Sequence, residues 1–209
     1  GAASAPVPST TAQRNFASVV QRMEPQIEAE CRARTRATNC DYLIVVDDRP
    51  GQPPNAFQTV GSNGQPIIGF TLALIGEARN IDELAFVMGH EAAHHIAAHI
   101  PRQNQNALAG ALIMGALAAA TGAEASAVRS AQELGANVAL RAYSKDYELE
   151  ADRLGTILAW NAGYDPERGA LFFSRLPDPR NSFLSTHPAN AQRLDLVRQT
   201  VADLRAGRL

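Results

Sequence analysis

His90-Glu91-Ala92-Ala93-His94 lies near the end of a run, Asn80 to His99, whose reading decides the fold. Asn80 offers a cap, Asp82 and Glu83 place negative charge in the first turn, and Pro101 supplies a stop, so the run predicts one helix. Leu84, Val87 and Met88, with Ile81 and Ile96, give that helix an apolar stripe to bury. Residues four apart on a helix lie one above the other, so His90 and His94 aim their rings at one point, with Glu91 beside them. Two converging imidazoles suit a zinc ion. A neighbouring carboxylate suits a general base, because zinc lowers the pKa of its bound water to about 7. This is chemistry for hydrolysing an amide bond. The plain alternative is a surface helix with two solvated histidines.

A catalytic zinc usually keeps three protein ligands and one position for water. A third His ten residues after the first would fall at Ile100, with a chain-turning Gly at Ala97, and His99 is one position short. Tyr147-Glu148-Leu149-Glu150-Ala151-Asp152 offers a second helix instead. Glu148 and Asp152 share a face there, so Glu148 can bind the metal while Asp152 accepts the outer N–H of a ligating His. Glu150 turns away and reads as a solvated or structural carboxylate. Together with Lys145, Asp146 and Arg153 the run would, by itself, be an ordinary charged helix face.

These two segments, continued by Arg153-Leu154-Gly155 and followed by Ser185-Thr186-His187-Pro188, resemble the HtpX, BepA and CAAX prenyl protease group of zinc metallopeptidases. The resemblance runs from about Asp41 to Arg198, and Asn55-Ala56-Phe57 with Pro66 to Ile75 is similar to the group's loop and strand before the catalytic helix. It implies a gluzincin of α+β class, a mainly helical zincin-like domain with a small, mostly antiparallel sheet. His90, His94 and Glu148 would hold one Zn2+, with Glu91 as general base. His187 would be an active-site residue that either stabilises the oxyanion or closes the site as a fourth ligand. Arg193 would support the same charge, Tyr143 is a further candidate, and His95 and His99 read as packing or surface residues.

The long apolar spans of the group's integral-membrane members are missing, which favours a bacterial, periplasmic branch. The implied function is a zinc endopeptidase acting on polypeptides in quality control of exported or envelope proteins. The alternative is a self-inhibited or inactive chaperone or assembly factor that acts by binding.

Length and charge set outer bounds. At 209 residues and a formal net charge of -2, the chain has room for one core and no basic field for nucleic acid. Residues 1–12, rich in Ala, Pro and Ser, read as a flexible tail, of a kind that would suit removal of an export signal or lipid anchor; 13–209 read as one peptidase domain. Cys31 and Cys40 are the only cysteines. Their spacing permits a disulfide, and free buried thiols are the alternative.

Along the chain, Phe16 to Glu30 reads as a helix, Tyr42 to Val46 as a buried strand, and Gly61-Ser62-Asn63-Gly64 as a hairpin turn. Pro66 to Leu74 reads as an edge strand to which an extended peptide could add, with its register left open by Gly69. Asn106 to Thr121 is apolar almost all round but too short for the about 20 residues that cross a bilayer. It reads as a buried helix, a peripheral membrane contact or a lid. Further helices are expected over Ala125 to Ala142, Lys145 to Asn161 with Gly163 as its cap, Glu167 to Leu176 after Pro166, and Ala189 to Ala206. The loop Pro177 to Ser185 would carry the chain to His187.

Overall fold

Thr10 to Arg34 forms the first helix, α1, in a computed structural model that describes residues 7–130, 132, 143–175, 187 and 191–209. The Ser9 hydroxyl accepts from the Ala12 N–H at 3.1 Å, so the helix starts six residues before Phe16. Phe16, Val19, Met23, Ile27 and Cys31 recur at helical spacing and are all buried. Cys31 is disulfide-bonded to Cys40, which settles the choice against free thiols. Closing a loop of this length stabilises the fold by about 3 kcal/mol, and it ties the end of α1 to the approach of the first strand.

The sheet has three strands: β1 (Leu43–Asp47), β2 (Ala56–Val60) and β3 (Pro66–Thr71), in the order β1-β3-β2. β2 pairs with β3 antiparallel through the Gly61–Gly64 turn, and β1 pairs with β3 in parallel. Two expectations are corrected here. β3 is the central strand, with Ile68, Gly69, Phe70 and Thr71 all buried, and it ends at Thr71 because that hydroxyl caps a short helix, α2 (Leu72–Glu77). β1 is an edge strand whose Leu43 and Val46 are exposed, since only one of its flanks has a partner. Gly69 also finds its reason. It stands opposite Phe57 in register, and the Phe57 ring occupies the space a Cβ would need.

The helix that carries His90 and His94 is α3, Ile81–Ile96, capped by the Asn80 side chain accepting from Glu83 N–H at 3.0 Å. Nearly every residue on it is buried, Ile81 being the exception among the predicted stripe. It ends earlier than Pro101 implied. Ala98 takes a left-handed conformation (φ 54°), and α4 (His99–Ala120) starts at the next residue, with Pro101 in its first turn, where a missing N–H costs nothing. Of the three readings of Asn106 to Thr121, α4 departs from the buried helix: Leu108, Leu112, Ile113 and Leu117 are all exposed.

A helical stretch over 125–130 follows; the remainder expected to Ala142 lies outside the described residues, as does the loop Pro177 to Ser185. α5 (Lys145–Asn161), α6 (Pro166–Arg175) and α7 (Ala191–Arg205) complete the described residues. Gly163, at φ 85°, ends α5: Tyr164 N–H reaches Ala159 O at 2.9 Å and Gly163 N–H reaches Trp160 O. α3 is the hub, packed by α1, α5 and α6 and flanked by β2. Its crossing with α5 is backbone on backbone. A Cβ on Gly155 would lie 2.8 Å from His90 N and one on Gly89 would lie 2.9 Å from Gly155 O. Only glycines allow this approach, and it brings the first turns of α5 against the histidines of α3.

Candidate metal centre

Where α3 and α5 cross, four side chains turn their ligand atoms to one point. One atom from each of His90, His94, Glu148 and His187 lies within 4.8 Å of the others, and all four residues are buried. His90 Nε2 is 3.0 Å from His94 Nε2 and 3.1 Å from His187 Nδ1. Glu148 Oε1 is 3.0 Å from His187 Nδ1 and 3.4 Å from His94 Nε2, and Glu148 Oε2 is 3.5 Å from His90 Nε2. A tetrahedral ion bound at about 2.0–2.1 Å separates its ligands by about 3.3 Å, the middle of this range. The donor set of imidazole nitrogens and one carboxylate fits zinc.

Charge makes the same point. Glu91, Glu148 and Asp152 are fully buried carboxylates, and Arg193 is the buried guanidinium among them. A divalent cation held among these carboxylates would offset their charge. Glu91 adds a second sign: neither of its buried oxygens accepts a hydrogen bond from a described residue, although His187 Nε2 stands 3.3 Å from Oε1. A buried carboxylate left without donors costs energy unless it serves something outside the fold.

The side chains of this cluster are supported from behind. His90 Nδ1 lies 2.9 Å from Asp152 Oδ1, and Arg193 donates to both Asp152 oxygens, from Nε at 2.6 Å and from Nη2 at 2.8 Å. Arg193 Nη1 also reaches Glu148 Oε2 at 3.1 Å and the His187 carbonyl at 3.4 Å. Its guanidinium lies 4.0 Å over the Phe173 ring. Arg193 therefore sits behind the ligands, holding two carboxylates. Tyr143 stacks on His94 with ring centres 4.0 Å apart. Ser185, Thr186 and Pro188 lie outside the described residues.

These surroundings set the proton affinities. Burial pushes the Glu91 carboxyl up, and the nearby His187 and His90 only partly oppose it. Burial also raises Glu148, but His187, His90 and Arg193 outweigh it and leave the carboxyl below its usual range. Asp152 follows the same balance, with Arg193 the main opposing group. His94 is pushed well down by burial and by the neighbouring rings, which favours the neutral imidazole that a metal needs.

His95 stays apart, facing the Asn39 carbonyl at 2.8 Å. His99 does not. It is fully buried, and its Nδ1 lies 2.7 Å from His94 Nδ1, with Glu150 Oε2 3.1 Å from its other nitrogen. Reading His99 as mere packing missed this, because its contact depends on the unforeseen break at Ala98. The signal was present in the two-residue offset that puts Glu150 on a different side of α5 from Glu148.

The chain matches the sequence model of Peptidase family M48 over residues 13–201. It is similar to the mitochondrial metalloendopeptidase OMA1 of Arabidopsis thaliana, 30% identical over 137 residues, covering 64% of this chain and 27% of that protein. It is similar to the beta-barrel assembly-enhancing protease of Escherichia coli (strain K12), 29% identical over 164 residues, covering 72% and 33%. Similarity to the OMA1 of Saccharomyces cerevisiae is 29% over 168 residues, covering 73% and 45%. The matched region thus spans less than half the length of each of these relatives.

Proposed function

Because the chain belongs to peptidase family M48, we propose that it is a zinc-dependent endopeptidase in which His90, His94 and Glu148 hold the metal and Glu91 is the general base. The observation that carries this reading is the convergence of those side-chain atoms beside the buried Glu91 carboxylate, which accepts no hydrogen bond from a described residue. Zinc bound there would polarise the scissile carbonyl and make the attacking water acidic. Glu91, its proton affinity raised by burial, takes the water's proton and returns it to the leaving amine. Asp152 keeps His90 turned to the metal, and Arg193 anchors Asp152 and Glu148. The free edge along α3 belongs to β2, so an extended substrate would pair with Ala56–Val60.

Residues 13–209 would act as one peptidase domain. Similarity to a beta-barrel assembly-enhancing protease supports polypeptide substrates of the bacterial envelope and a periplasmic location. Exposed Leu108, Leu112, Ile113 and Leu117 support a peripheral membrane contact through α4, and no described helix is long and apolar enough to cross a membrane. Elemental analysis tests the metal site. About one zinc per chain is expected in the wild type and a large loss in Glu148→Ala; no zinc in freshly purified, folded wild type would defeat the reading.

A second reading has its own support. His187 Nδ1 stands 3.1 Å from His90 Nε2 and 3.0 Å from Glu148 Oε1, so with zinc bound it would be placed to take the position an open catalytic site leaves for water. A closed site of four ligands fits a self-inhibited enzyme or a binding factor. His187→Ala should raise the cleavage rate of an unfolded substrate if His187 closes the site. A fall in rate would assign His187 to catalysis instead.

A further inference from the structure

The two histidines of α3 are supported differently, and the difference identifies a residue. His90 leans on a carboxylate, Asp152. His94 leans on another imidazole: its Nδ1 is 2.7 Å from His99 Nδ1, both rings are fully buried, and His99 Nε2 is 3.1 Å from Glu150 Oε2. Two nitrogens so close share one proton, and its place follows from the zinc reading on which this inference rests. A neutral His94 that offers its Nε2 lone pair to a metal carries its proton on Nδ1. His99 must then accept at Nδ1, so its own proton is on Nε2, where Glu150 accepts it. Every step is forced by its predecessor.

We infer that His99 is a positioning residue for the metal centre: it accepts the His94 Nδ1 proton, passes orientation on to Glu150, and thereby fixes the tautomer and direction of the second zinc-binding histidine. The fold is arranged to hold it there. Ala98 adopts a left-handed conformation that residues other than glycine and asparagine rarely take, and this turn points the first residue of α4 back toward α3. Tyr147 stacks on His99 with ring centres 4.5 Å apart and planes 6° off parallel. Arg102, one turn along α4, lies 4.4 Å from the centre of the Tyr147 ring and reaches Glu150 at 2.8 Å. Each histidine thus has an acid backed by an arginine: Asp152 with Arg193 deep in the fold, and, by way of His99, Glu150 with Arg102 at the surface.

The test combines a signature in the wild type with a matched pair of variants. Long-range 15N–1H spectra of the zinc-loaded wild type should show His94 protonated on Nδ1 and His99 protonated on Nε2. His99→Leu, which keeps bulk without an acceptor, should weaken zinc binding by about 10–100-fold in competition with a chelator. His99→Gln should recover most of that loss, since its carbonyl can accept from His94 and its amide can donate to Glu150. A purely structural His99 would change the unfolding midpoint of both variants without this split in zinc affinity. Wild-type affinity in folded His99→Leu, or a proton on His99 Nδ1 in the wild type, overturns the inference. If His99→Leu does not fold, the wild-type tautomers decide alone. A wild type that binds no zinc would overturn the zinc reading itself.

Discussion

Glu91→Gln is expected to lower the turnover of an unfolded polypeptide by about 10²–10⁴-fold or more while leaving fold and zinc content unchanged, because it deletes a base and little else. Gln has the shape of Glu but cannot take a proton from water. Neither Glu91 oxygen accepts a hydrogen bond from a described residue, so the amide breaks none of these bonds and gives up only the charge that faces His187 Nε2 at 3.3 Å. Glu148→Ala removes a ligand instead and should lose metal as well as activity. Cleavage rate and zinc content, measured side by side on the two variants, separate base from ligand. Full activity in Glu91→Gln would dismiss Glu91 as the base.

The convergence of His90, His94 and Glu148 could be read in advance because the spacing is local. His90 and His94 share a helical face by arithmetic, as do Glu148 and Asp152, and two such pairs on two helices limit how the chain can fold. Gly155 carried a further message, that α5 comes within backbone contact of His90, and only the crossing itself explains it. The sheet was harder. Tyr42 to Val46 and Pro66 to Thr71 are both apolar runs, and such a run does not disclose whether one flank or two will be paired. Partner number made β3 central and β1 exposed.

The break between α3 and α4 was hidden for another reason. Ala98 has no side-chain chemistry that favours a left-handed turn, and Pro101, which looked like a stop, is tolerated in a first helical turn. His99 was misjudged in consequence, since a continuous helix would have rotated it away from His94. Arg193 depended on distance along the chain: its partner Asp152 is 41 residues earlier, and nothing local in either segment announces the pairing.

Arg193→Met is expected to cost about 3–5 kcal/mol of unfolding free energy at neutral pH, measured with chelator present so that metal binding does not enter. Methionine keeps the apolar stem against Phe173 but leaves Asp152 and Glu148 buried without their guanidinium. The pH dependence distinguishes this cause from lost packing. In the wild type, burial pushes the Asp152 carboxyl up, but Arg193 and then His90 outweigh it, so its folded pKa lies below the unfolded value of about 3.9. Such a group contributes stability above its unfolded pKa, and that stability is lost as pH falls through the folded one. Without Arg193 the desolvation cost dominates and the sign reverses: the folded pKa rises, and the variant loses stability as pH climbs from the unfolded value to the new folded one. The gap between variant and wild type should therefore be wide at pH 7 and narrow toward pH 4, in urea unfolding curves at both. An equal gap at the two pH values would assign the loss to packing, and no gap at pH 7 would show that the buried carboxylates do not depend on Arg193 for their charge.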